Sequence, residues 1–176
     1  MLNSIEVILI CLVAQAAITD LALRKIPNVL ILSGLLLALM LHIMGGQHWA
    51  PVTDWLAGSL AGFFLFLPLY ALRGMAAGDV KLMAMVGAFV GPLAALQVAA
   101  LATLIGGVMA LVMLLFSGRW RDGWRNLVTI CRPLLWRCLG MPVQPVPLEP
   151  GASVGGIPYG LAIALATMAV VVLAHR

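Results

Sequence analysis

Residues 74–92 read GMAAGDVKLMAMVGAFVGP, and this stretch decides how the chain is laid out. Asp79 and Lys81 head an apolar run that stops at Gly91–Pro92. As a helix, Val80 to Gly91 reaches only about 18 Å, whereas the hydrocarbon layer of a membrane is about 30 Å thick. A Gly-Pro pair is a turn signal, so the apolar residues from 93 onward start a new segment. If that turn lies near one membrane surface, Asp79 lies below the other, or the bilayer thins around it. An ionisable group in that position is costly and marks a candidate functional site.

The rest of the chain sets the solvent. Of its 176 residues, 64% are hydrophobic and 9% are charged, whereas a water-soluble domain carries about 25% charged residues. A chain this size cannot bury so much apolar side chain, so its solvent is lipid. Six apolar runs stand out, at 4–20, 27–45, 54–72, 80–92, 93–116 and 157–174. They predict an all-α, polytopic protein of about six transmembrane helices, forming one membrane-embedded domain over residues 1–176. The opening MLNSIEVILICLVAQAAITD has no basic residue ahead of its apolar run and no clear cleavage site. It reads as a retained span. Cys11, Cys131 and Cys138 form no CxxC pair, so they are read as packing residues. Gly58 with Gly62, and Gly87 with Gly91, stand four apart, as small residues do where helices approach closely.

Orientation follows from the basic residues, which stay on the cytoplasmic side. Arg24, Lys25, Arg73, Lys81, Arg119, Arg121, Arg125, Arg132 and Arg137 all fall on one face if both termini are outside. Only Arg176 falls on the other. The net charge of +4 is thereby explained without nucleic acid. Between residues 117 and 140, Trp120, Trp124, Leu127, Cys131, Leu134 and Cys138 recur at helical spacing with arginines between them. This predicts a basic amphipathic helix in the cytoplasmic headgroup layer. The remainder of 117–150, and the Pro- and Gly-rich stretch after it, forms a linker to the last span.

Four of the six acids have ordinary places in this layout: Glu6 and Asp54 outside, Asp122 and Glu149 in the cytoplasmic segment. Asp20 and Asp79 both fall at cytoplasmic ends of apolar helices. Two carboxyls sharing a partly dry site do not readily both ionise, so one keeps a proton while the other acts as base. Such a pair can activate water and polarise a carbonyl. HExxH does not occur in the chain, and His42, His48 and His175 lie toward the other face. A structural account also exists. Asp79 after Gly78 suits a helix N-cap, Lys81 suits a boundary charge whose tip reaches the interface, and Asp20 stands four residues from Arg24.

AAGDVKLMAMVGAFVGP at 76–92, TDLALRKIPNVL at 19–30 and GIPYGLAIALA at 156–166 together resemble the type IV prepilin peptidase family of GxGD membrane aspartic proteases. The resemblance covers most of the membrane core. It implies that Asp20 and Asp79 are the catalytic acids, that Gly78 allows close approach of substrate, and that no metal or organic cofactor is needed. Lys81 would tune the pair or orient a substrate carboxylate, if it is not simply a boundary charge. Ala76 stands where the family pattern has its first glycine, and alanine adopts positive φ less freely. No long N-terminal extension with paired CxxC motifs is present in these residues. The chain thus resembles the short, peptidase-only branch serving tight-adherence (Flp-type) pili, from which methyltransferase activity is not expected.

The function implied is removal of leader peptides from prepilin or pseudopilin substrates at the cytoplasmic face of the bacterial inner membrane. Membrane lipid is the other expected partner. The rival reading is a non-catalytic assembly subunit or a small transporter. A transporter would show repeated halves with interrupted helices, and no convincing repeat is visible.

Overall fold

The computed structural model describes residues 3–45, 50–71, 74–116 and 158–174, and every regular element among them is a helix. In chain order these are α1 (Ser4–Leu23), α2 (Asn28–Gly45), α3 (Ala50–Ala71), α4 (Ala77–Phe116) and α5 (Tyr159–Leu173). Three of them, α1, the Val52–Ala71 part of α3, and α4, are long and apolar enough to cross a membrane. α2 and α5 are shorter apolar helices. The predicted amphipathic helix and linker at 117–150 lie outside the described residues, as does Arg73. The chain forms two compact units. One is Met1–Gly106 with Pro158–Arg176, and the other is Gly107–Ile157. Of the second, 107–116 is described as the end of α4.

Local sequence explains where these helices start and stop. α1 opens with a capping box: Asn3 accepts from the Ser4 N–H at 3.1 Å, and Glu6 accepts from the Asn3 N–H at 2.7 Å. This satisfies backbone donors that the first turn leaves without helical partners. It also accounts for Glu6. α1 ends at Arg24, which takes the left-handed conformation (φ 52°) and donates its N–H to the Asp20 carbonyl at 2.9 Å. Pro27 stands just ahead of α2, and its carbonyl accepts from the Leu30 N–H at 3.1 Å.

The two apolar runs separated at Gly91–Pro92 belong to one element, α4, in which Gly91 alone has a non-helical backbone (φ 81°, ψ 172°). That region is nearly closed to residues with a side chain. The expected pair of apolar helices is thus present as two arms joined through that one residue. α4 is not straight. Ala95 Cβ lies 3.4 Å from where a Cβ on Gly87 would stand. Residues eight apart on an unbroken helix are about 12 Å apart along the axis. The chain therefore doubles back at Gly91.

The arm of α4 before Gly91 is the centre of its unit. Leu82 to Phe89 are all buried. α3 meets this arm backbone to backbone: a Cβ on Gly58 would collide with the Gly87 carbonyl, one on Gly87 with the Gly58 carbonyl, and one on Gly62 with the Met83 carbonyl. Glycine is required at this crossing because nothing else lets the chains come so near. α2 packs on the same arm through Gly34, which faces the Met85 side chain. Trp55 of α3 donates its indole N–H to the Leu35 carbonyl of α2 at 3.1 Å. Outward, large apolar side chains such as Ile18, Val29, Met40 and Leu93 are exposed. Helices apolar on their outer as well as their inner faces are suited to lipid.

Candidate active site

Three helix ends meet at one end of this unit: the last turn of α1, the first turn of α4 and the first turn of α5. Asp20 sits in the first of these and Asp79 in the second. The two residues are only 9% and 5% exposed, and they and Thr167 are the buried polar residues among those described. Their carboxyls are near enough for the charges to act on each other.

Asp79 is held by its own turn. α4 begins at Ala77, so Asp79 is the third helical residue and not the cap ahead of the helix. Its Oδ2 accepts the Ala76 N–H at 3.1 Å, while its own N–H donates to the Ala76 carbonyl at 3.1 Å. This is the acidic half of a capping box, at the positive end of the helix dipole. None of residues 74–79 has positive φ. What position 76 supplies is a backbone N–H, which alanine provides as well as glycine. The Gly78 Cβ position faces Ile26 at 3.5 Å, an ordinary contact distance.

Asp20 is held from far along the chain. Its Oδ2 accepts the Gly160 N–H at 2.8 Å, across 140 residues of sequence. α1 and α5 therefore run antiparallel, the end of one beside the start of the other. Gly160 has to be glycine for this contact. A Cβ there would stand 2.8 Å from Asp20 Oδ2 and 2.9 Å from its Cβ, closer than real side chains approach. The charge of Arg24 also acts on Asp20.

Tyr159, the neighbour of Gly160, addresses the other acid. The charge of Asp79 acts on its phenol. Its ring lies in a notch left by Gly106, where a Cβ would stand 2.6 Å from Cε1. One dipeptide at the start of α5 thus holds Asp20 and lies within the field of Asp79. Neither residue stood out as a site residue in the sequence. The available signal was GIPYG, a turn-forming stretch with a tyrosine at the head of an apolar run.

Lys81 belongs elsewhere. It is exposed, and its Nζ donates to Asn28 Oδ1 at 3.1 Å. Among the described residues no three His, Cys, Asp or Glu side chains gather as a metal site would require.

The fold and site together define an all-helical membrane protein with two buried acids gathered where helix ends converge. Comparison with protein-family models matches residues 7–111 to the type IV leader peptidase family. The chain belongs to that family. The matched region contains Asp20 and Asp79 and ends before α5. Searches of curated proteins and of solved structures found no match. Family membership supports leader peptidase function in broad terms, with prepilin-type proteins as the substrates.

Proposed function

We infer that the chain is an aspartic endopeptidase that removes short basic leaders from Flp-type prepilins or pseudopilins. The observation that carries this reading is the pair of buried carboxyls, Asp20 and Asp79, each fixed by one backbone N–H. Both tethers use Oδ2. One acid takes a proton from a water as that water attacks the scissile carbonyl carbon. The other, protonated, donates to the carbonyl oxygen as it becomes anionic. Collapse of the tetrahedral intermediate expels the amine, which leaves with a proton from the pair. The two acids titrate as a unit, so the roles belong to the pair.

The chain works as one membrane-embedded peptidase domain. Its helices cross the inner membrane six times, the two arms of α4 counting separately. The distribution of basic residues supports a cytoplasmic active site. Peptidase activity without methyltransferase activity fits the resemblance to the short branch of the family.

The test is co-expression with a matched prepilin, leader removal being read as a gel shift. Asp20→Asn and Asp79→Asn each abolish processing while the protein remains in the membrane fraction. Full processing by either variant would overturn the acid pair. No processing by the wild-type chain would point to a non-catalytic assembly role.

A further inference from the structure

We propose that the groove between α2, α3 and the first arm of α4 binds one anionic phospholipid of the surrounding bilayer, with its phosphate on Lys81 and an acyl chain along the apolar wall. The groove has a volume of about 570 Å³ and is lined by Asn28, Ile31, Leu35, Phe63, Lys81 and Ala84 among others. That lies within the range of cavities that enclose a small organic molecule. Its lining is mostly apolar, with Asn28, Lys81 and Ser59 the polar residues. Asn28 and Lys81, joined at 3.1 Å, stand near the starts of α2 and α4 and form a polar end. Ile31 and Leu35 follow Asn28 at helical spacing down α2, and Ala84 follows Lys81 one turn down α4. A charged head over an apolar channel is the polarity of a membrane lipid lying along its own bilayer.

The ammonium fixes the sign of the head. It has three N–H donors, and Asn28 accepts from one of them. A phosphate oxygen is the natural acceptor for another. The wall also argues against a peptide strand. It is built from side chains on three helices whose backbone groups bond internally, so it offers no free edge for a strand to pair with. Nor is it a path to the carboxyls. Lys81 is about 200° around the helix from Asp79, and Asp79 is buried where Lys81 is exposed. The proposal depends on the membrane reading of the fold and not on the catalytic reading of Asp20 and Asp79.

The full-length protein, purified in mild detergent, is titrated with phosphatidylglycerol or phosphatidylcholine and observed by native mass spectrometry. One phosphatidylglycerol is retained per chain, in preference to phosphatidylcholine. Lys81→Gln weakens that retention about fivefold, the scale of one lysine at an anionic membrane surface, and Lys81→Arg restores it. Lys25→Gln, which alters an exposed charge that does not line the groove, leaves it unchanged. Ala84→Phe fills the channel and lowers retention even with Lys81 intact. Equal retention of the two lipids, or undiminished phosphatidylglycerol binding by Lys81→Gln, would overturn the proposal. So would stoichiometric displacement of the lipid by a prepilin transmembrane peptide, which would assign the groove to substrate.

Discussion

Gly160 donates its backbone N–H to the Asp20 carboxylate across 2.8 Å, with no room between them for even a methyl group. Glycine is needed here for its missing side chain, since its φ is not positive. The contact is also what ties α5 to the end of α1 where the acids gather.

Gly160→Ala is therefore expected to displace the Asp20 carboxyl without dismantling the bundle. Overpacking of this kind costs about 1–3 kcal/mol. Cleavage falls much further than stability, by about a hundredfold, because a shift of about 1 Å in a reacting group has that effect. Thermal unfolding in detergent and prepilin processing, measured on the same preparation, separate the two. Gly107→Ala, where a Cβ would meet nothing within 4 Å, is the matched control and leaves both unchanged. Equal activity of the two variants would deny Gly160 its role.

At position 76 the prediction concerns an N–H. Ala76→Gly keeps the donor to Asp79 and keeps activity, at a cost of up to about 1 kcal/mol from greater freedom of the unfolded chain. Ala76→Pro removes the donor and lowers cleavage by about tenfold or more, since a carboxylate loses a bond worth about 1.5–3 kcal/mol. Processing kinetics of the two variants side by side decide the matter. A proline variant as active as wild type would show that the Ala76 N–H does not position Asp79.

Tyr159→Phe separates the hydroxyl from the ring. The ring still fills the notch at Gly106, so the melting temperature stays put. Loss of the hydroxyl lowers kcat several-fold and shifts the pH–rate profile, with KM little changed. Gly106→Ala, whose Cβ would press on the ring at 2.6 Å, reproduces the loss while leaving the hydroxyl in the chain. An unaltered pH profile in Tyr159→Phe assigns Tyr159 to packing alone.

Gly58→Val tests the crossing of α3 and α4, where each glycine faces the other's carbonyl. The helices must part, at about 1–3 kcal/mol, and the melting temperature drops. Gly91→Ala costs a similar amount for a different reason. Nothing lies within 4 Å of its Cβ position, but a side chain is strained at φ 81°. If Gly91→Ala melts like wild type, the doubled-back form of α4 does not depend on that backbone angle.

The sequence made much of this layout readable, and the parts it hid have a common cause. Apolar runs located the helices because span length and lipid solvation are local properties. Gly91–Pro92 announced its break because a Gly-Pro pair constrains its own backbone. The four-residue glycine spacing of Gly58 and Gly62 pointed to a close crossing, but only coordinates show that Gly87 and Met83 are the partners. The distribution of basic residues assigned Asp20 and Asp79 to one face through charge alone. By contrast, Gly160 and Tyr159 act through contacts between segments far apart in the chain, and a single sequence carries no record of such pairs. Asp79 suits a cap in the sequence, and is instead the third residue of α4, because Ala77 and Gly78 give little sign that the helix has already begun.

The tether between Asp20 and Gly160 also bears on biosynthesis. A chain entering the membrane from its N-terminus delivers both acids long before α5, which follows 140 residues behind Asp20. Until that last helix inserts, Asp20 lacks its N–H and Asp79 lacks its phenol neighbour. The surroundings of the two acids are thus complete only when the final helix has arrived.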